Sequence, residues 1–257
     1  MNDIGLRGTV YLVGAGPGDP ELLTVKARRL IDQADIIFFD ALVNEEVFRG
    51  VAAELVFVGK RRGFKVASQE EINRGLFEAA SRGVRVVRLK GGDPLVFARG
   101  GEEIVFLRER GVRVEIVPGI SAAFAAAASG QIPLTHRGVA SGVTFATARS
   151  AEETGRRRDT LVYYMGAAST GRVARDALAS GRAPDTPVAL IRDASLPTEE
   201  IWITSLGVMA ASPVEYPAPL LLIIGEVVRL GHGHAGDVTR RAEAGRSANL
   251  VEAAWQA

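Results

Sequence analysis

The chain contains no cysteine. Disulfides, thiolate metal sites, iron–sulfur clusters and cysteine nucleophiles are therefore excluded. Histidine is nearly as scarce. There are 3 in 257 residues, and His232 and His234 stand together in a polar tail without a third ligand. That supply does not suit a histidine-rich metal centre. Charge of one sign is missing too: Lys+Arg 31 against Asp+Glu 30 leaves +1. Chains that bind nucleic acid usually carry a clear basic excess, so a nucleic-acid partner is disfavoured. Long apolar runs are also absent. The longest candidates, Ile120–Ala128 and Leu220–Ile224, fall short of the ~18 apolar residues a membrane span needs. The stretch Met1–Gly5 lacks the basic start and apolar run of a signal peptide. The expectation is a cytoplasmic protein with no membrane partner.

Apolar residues make up 47% and charged residues 24%, an ordinary globular balance. At roughly 100–200 residues per domain, this length gives one large domain or two small ones. Strand-like runs at Thr9–Val13, Ile36–Phe39, Glu54–Val58, Val84–Leu89 and Val112–Val117 alternate with helix-like segments at Leu22–Gln33, Ser68–Ser81 and Gly101–Arg110. Ser68-Gln69-Glu70-Glu71 reads as a capping box, and Ser121 as the cap of a helix over Ala122–Ser129. Such β/α alternation predicts a mostly parallel sheet covered by helices. Beyond Pro133, strands are expected at Val143–Ala148, Leu161–Met165, Val188–Arg192, Glu200–Thr204 and Leu220–Ile224, with one helix over Ser169–Ala179 closed by Gly181. Fewer helices per strand make this half α+β. The expected division is 1–134, an α/β domain; 135–230, an α+β domain; and 231–257, a polar tail.

Glycine is plentiful, 29 in all, and two clusters follow strands. The first is Gly14-Ala15-Gly16-Pro17-Gly18-Asp19-Pro20. A dinucleotide fingerprint needs G-x-G-x-x-G and a ribose-binding acid about 20 residues on, a part Asp40 could take. The spacing here is G-x-G-x-G, and Asp19 puts a carboxylate where a pyrophosphate would sit. No Lys-Ser/Thr pair follows, so it is not a Walker loop either. The second cluster, Lys90-Gly91-Gly92-Asp93-Pro94, has the same grammar. Asp93 is equally compatible with a cap and with a grip on a ligand hydroxyl or ammonium. Together the loops suggest a nucleoside that lacks phosphates.

Longer motifs now carry a resemblance. They are Val13–Pro20, Phe39–Val43, Gly59-Lys60-Arg61, Arg88–Pro94 (RLKGGDP), Phe97–Glu103 (FARGGEE), Val117–Ala123 (VPGISAA), Ile132–Arg137 (IPLTHR), Tyr164-Met165-Gly166 and Gly225–Val228. Over about residues 9–228 the sequence resembles the uroporphyrinogen III C-methyltransferases of the tetrapyrrole methyltransferase family. The resemblance implies two α/β domains with S-adenosylmethionine in the cleft between them, S-adenosylhomocysteine as product, no metal, and usually a homodimer. It implies methylation of uroporphyrinogen III at carbons 2 and 7, giving precorrin-2 by way of precorrin-1. By the same analogy the cofactor contacts fall on Pro17, Gly91, Gly92, Asp93, Val96, Ser121, Ala122, Met165 and Ala194. Substrate handling or proton transfer falls on Asp40, Lys60, Arg99, Glu102 and Arg137.

The residue chemistry agrees. Methyl transfer from a sulfonium to an electron-rich pyrrole carbon is mostly positioning, followed by loss of one proton. Arginine stays protonated in proteins and makes a poor base. Arg99 is therefore read as a carboxylate clamp oriented by Glu102, leaving Asp40 and Glu102 as base candidates. Lys60, Arg61, Arg62, Lys65, Arg99, Arg137 and Arg149 supply cations for a polycarboxylate. Plainer roles compete at each position: a solvated loop for the residues around Lys60, helix-dipole partners for Glu102 and Glu103, core packing for Met165, and a turn for Asp40. Departures from the family's usual residues at Lys65, Ser68, Ala148, Arg149 and Ala194 bear on the substrate edge. The alternatives are a related corrin-pathway methyltransferase and a non-catalytic tetrapyrrole-binding protein.

Overall fold

A computed structural model describes residues 8–59, 67–149 and 158–231. It divides into two compact units, one ending at Ala122 and the other beginning at Ala123. The first contains a parallel sheet of β1 (Thr9–Gly14), β2 (Ile36–Phe39), β3 (Glu54–Phe57), β4 (Val86–Lys90) and β5 (Arg113–Val117), in the order β3-β2-β4-β1-β5. β2 and β4 are buried throughout, as parallel strands covered on both faces should be. Helix α1 (Val25–Asp32) packs Ala27, Leu30 and Ile31 with Val13, Ile37, Val87 and Leu89 on one face. Helices α2 (Gln69–Ser81) and α3 (Gly100–Glu109) pack Ile72, Leu76, Ile104 and Leu107 with Val10, Leu12, Ile36 and Val86 on the other.

The segment read as one helix over Leu22–Gln33 is broken. Asp19 caps a short 3-10 turn, Pro20–Leu22, and α1 starts afresh at Val25 with the Thr24 hydroxyl accepting from the Ala27 N–H at 3.1 Å. Thr24 is the better cap, so the first glycine loop does not run directly into an α-helix. The capping box at Ser68 forms in full: the Glu71 N–H donates to Ser68 Oγ (3.1 Å) and the Ser68 N–H to Glu71 Oε2 (2.7 Å).

The second unit begins with α4, whose eight residues are Ala122–Ser129 and thus start on the last residue of the first unit. Its sheet runs β6-β7-β10-β8-β9, from β6 (Val143–Thr147), β7 (Thr160–Tyr164), β8 (Pro187–Arg192), β9 (Glu200–Ser205) and β10 (Leu220–Ile224). Only β6 and β7 pair in parallel; the other contacts are antiparallel. Helix α5 (Thr170–Ala179) is followed by its C-cap Ser180 and then by Gly181 at φ +93°, where glycine avoids the Cβ penalty. A six-residue helix not expected from the sequence, α6 (Leu206–Ala211), buries Leu206 and Met209. Val173, Ala174, Val188, Leu190, Leu220 and Leu222 pack with them. No helix among the described residues is long and apolar enough to cross a membrane.

Candidate active site

Every parallel strand of the first sheet delivers its carboxyl end to one edge. The connection after β2 leads outward to β3, whereas that after β4 leads the other way to β5, so the ends of β2 and β4 mark a topological switch point. Ligands of open α/β sheets settle at such points. Asp40 follows β2 and Gly91 follows β4 there, and a Cβ on Gly91 would stand 2.7 Å from Leu42 Cβ.

Three loops are tied together at this edge. Gly16 and Gly92 exchange backbone hydrogen bonds of 3.3 and 2.7 Å, with both residues at positive φ, +72° and +69°. Asp93 Oδ1 accepts from the Leu95 N–H (2.8 Å), and its Oδ2 accepts from the Gly119 N–H (3.1 Å). A Cβ on Gly119 would lie 2.2 Å from the Gly92 carbonyl oxygen and 2.7 Å from Gly14 Cα, so only glycine allows this approach. A Cβ on Gly92 itself would meet nothing nearer than Ser121 Cα and Ala122 N, both at 3.8 Å. Gly91, Gly92, Asp93, Ser121 and Ala122, all expected on a cofactor, are thus brought together around Gly92. Pro17 and Val96, both half-buried, lie on two of the same loops. Ser121 is buried at 4% exposure.

Asp19 is a cap: its Oδ1 accepts from the Glu21 N–H at 2.8 Å. Asp93 is both turn-former and brace between loops. The loops 14–20, 91–96 and 118–122 hold these two carboxylates and neither lysine nor arginine. Such a cradle suits a neutral or cationic ligand and offers nothing to neutralise a diphosphate.

Arg99 sits at φ +57° at the start of α3, and its fork is taken by Glu102: Nε to Oε1 at 2.7 Å, Nη2 to Oε2 at 2.6 Å. Both are exposed, at 58% and 54%. The hydrogen bond to Glu102 raises the Arg99 pKa and lowers that of Glu102 below the ordinary carboxylate range. Glu102 thus holds the Arg99 guanidinium through both of its carboxylate oxygens. Asp40 Oδ1 accepts from the Leu42 N–H (3.1 Å), and its Oδ2 stands 3.5 Å from Arg88 Nη2.

In the second unit, Met165 follows β7 with φ +57° and 40% exposure, and Ala194 follows β8 between Asp193 (φ +49°) and Ser195 (φ +72°). β7 and β8 both run antiparallel to β10, so Met165 and Ala194 lie on the same edge of that sheet. Arg137 is exposed in a turn where the His136 and Ala140 backbones pair. Lys60, Arg61, Arg62 and Lys65 lie outside the described residues, as do His232 and His234.

Sequence reading missed Arg88, Lys90 and Glu103 as a buried set at the same edge. The signal was there: two cations at alternate positions of a strand otherwise apolar, with an acid in the next helix. No group of three or more His, Cys, Asp or Glu able to hold a metal occurs among the described residues.

A parallel sheet whose carboxyl ends carry joined glycine loops and a switch-point carboxylate defines an α/β protein of the kind that takes its ligand along that edge. Residues 9–210 match the Tetrapyrrole (Corrin/Porphyrin) Methylases, and the chain belongs to that family. It is 48% identical over 237 residues to a siroheme synthase of Psychrobacter sp. (strain PRwf-1), covering 87% of this chain and 48% of that protein. It is 45% identical over 237 residues to the S-adenosyl-L-methionine-dependent uroporphyrinogen III methyltransferase, chloroplastic, of Arabidopsis thaliana, covering 87% and 64%. The chain thus spans about half to two thirds of these relatives' length.

Among solved structures, the native form of uroporphyrin III C-methyl transferase from Thermus thermophilus superposes with a TM-score of 0.76 at 44% identity, covering 87% of this chain and 100% of that one. Uroporphyrin-III C-methyl transferase from Thermus thermophilus complexed with S-adenyl homocysteine gives 0.75 at 42%, covering 87% and 94%. The α/β fold class expected from the sequence, in its two-domain tetrapyrrole methyltransferase form, is the one found.

Proposed function

We propose that this chain methylates uroporphyrinogen III at carbons 2 and 7 with S-adenosylmethionine, giving precorrin-2 by way of precorrin-1. The observation that carries the reading is the 44% identity to the Thermus thermophilus enzyme over that enzyme's whole length. The cradle adds chemical support. Glycine backbone, two carboxylates and no cation fit an adenosyl sulfonium better than any diphosphate. Pro17, Gly91, Gly92, Asp93, Val96, Ser121, Ala122, Met165 and Ala194 are assigned to the cofactor.

When bound, S-adenosylmethionine supplies a methyl group already activated on its sulfonium. The chain's own residues bind and orient. Arg99, held by Glu102, and Arg137 and Lys60 are assigned to the substrate carboxylates, because a guanidinium fork grips a carboxylate bidentately. Asp40 at the switch point handles the reacting ring as an anion able to hold the proton it sheds. A homodimer in the cytoplasm completes the reading.

The test is an anaerobic incubation with labelled S-adenosylmethionine and enzymatically made uroporphyrinogen III. Two labelled methyl groups per macrocycle are expected. Label that stays on the cofactor would make the chain a carrier, and label found only on a protein or an RNA would move it to another branch of the family.

A further inference from the structure

Strand β4 turns two cations inward. Val86, Arg88 and Lys90 alternate onto the face covered by α2 and α3, while Val87 and Leu89 face α1. Arg88 and Lys90 are each 3% exposed. Between them stands Glu103, in the first turn of α3 and 0% exposed. Glu103 Oε1 accepts from Lys90 Nζ (3.0 Å), Arg88 Nε (3.2 Å) and Gln69 Nε2 (3.2 Å), and its Oε2 accepts from Lys90 Nζ (3.1 Å). The rest of the guanidinium reaches toward the switch point. Arg88 Nη1 donates to the Leu89 carbonyl (2.9 Å) and the Phe38 carbonyl (3.4 Å), and Nη2 pairs with Asp40 Oδ2 at 3.5 Å.

Apolar side chains of similar size commonly stabilise a core as well as a buried ion set does, because desolvation cancels most of the attraction. What this set supplies is placement. Its outer end is Asp40, the one charged member with appreciable exposure, 26% of the side chain. Adjacent residues of one helical turn divide the work: Glu102 reaches outward to Arg99, and Glu103 inward to Arg88 and Lys90.

We infer that Arg88, anchored from behind by Glu103, is a positioning residue for Asp40. It holds one carboxylate oxygen at the end of β2 while the Leu42 N–H holds the other, so the anion meets the substrate in one orientation. The inference rests on the assignment of Asp40 to the substrate made above.

A double-mutant cycle tests it, using the full chain, uroporphyrinogen III and S-adenosylmethionine. Asp40→Asn is expected to lower kcat/KM for the tetrapyrrole at least tenfold. Arg88→Lys, which keeps the charge and loses the fork, should lower it at least fivefold while S-adenosylhomocysteine affinity by calorimetry stays within twofold. The double variant should be no worse than Asp40→Asn within twofold, since Arg88 acts through Asp40. Losses that multiply, or a parallel fall in S-adenosylhomocysteine affinity, would reduce Arg88 to a structural part and overturn the inference. Asp40→Asn matching the wild type would also overturn it, by removing the group that Arg88 positions. A wild-type chain inert toward uroporphyrinogen III would instead sink the functional reading. If Arg88→Lys does not fold, Glu103→Asp takes its place in the cycle, because it withdraws the anchor by one methylene and keeps its charge.

Discussion

Burial and charge compete at Lys90. Burial lowers its pKa from the ordinary lysine range, the Arg88 guanidinium pushes the same way, and Glu103 offsets both. A lysine whose folded pKa lies below its unfolded value binds fewer protons folded than unfolded. Its charge then weighs against the fold at neutral pH, and the burden lifts as pH climbs toward the unfolded value of 10.5. Glu103→Gln takes away the offset. The variant should lose about 3 kcal/mol at pH 7, as for a buried pair robbed of one partner. The deficit should shrink by pH 9.5, because Lys90 then sheds its proton at smaller cost. Urea denaturation at the two pH values reads this directly; equal deficits would assign Glu103 a packing role without electrostatics. Residue roles at this scale were partly legible. Asp19 could be recognised as a cap from Asp-Pro alone. The bond that Asp93 accepts from the Gly119 N–H could not, because Gly119 lies 26 residues away and no spacing rule joins them. Glu103 resembled any acid in a first helical turn until the sheet placed two cations beneath it.

Among the elements, those with a local cause were legible and those with a tertiary cause were not. The capping box at Ser68 is written in four consecutive residues, and both of its hydrogen bonds form. Ser68→Ala should therefore cost about 1 kcal/mol, read as a lower urea midpoint with unchanged slope. A cost below ~0.3 kcal/mol would mean that packing of Ile72 and Leu76 alone holds the start of α2. α6 went unseen because it follows β9 without a turn, carries Gly207 and Val208, and spans six residues, too few for a period to declare itself. It exists because Leu206 and Met209 find a core, with Ser205 Oγ accepting from the Val208 N–H at 3.4 Å. The break between Leu22 and Val25 was masked by apolar residues at helical spacing on both sides. Thr24 marks the boundary, and caps outrank periodicity where the two disagree.

For the whole molecule, strand order is where sequence falls silent and function begins. The alternation of strands and helices foretold a mostly parallel first sheet, and the run of strands with few helices foretold an α+β second half. Nothing in either pattern says that β4 inserts between β2 and β1, yet that insertion makes the switch point and brings Gly92 against Gly16. The junction of loops so formed has a thermodynamic signature. A ligand that binds only the folded chain stabilises it by about 2.7 kcal/mol at a concentration of one hundred times its Kd. Each kcal/mol raises Tm by roughly 2–4 °C for 150–250 residues. S-adenosylhomocysteine at that excess should therefore raise Tm by roughly 5–10 °C. NAD at the same concentration should leave it within about 1 °C, because the cradle sets Asp19 and Asp93 where a diphosphate would need cations. Differential scanning calorimetry compares the two directly. A rise with NAD and none with S-adenosylhomocysteine would show that the loops were built for a phosphate-bearing ligand after all, and the charge argument drawn from those two carboxylates would fall with the functional reading.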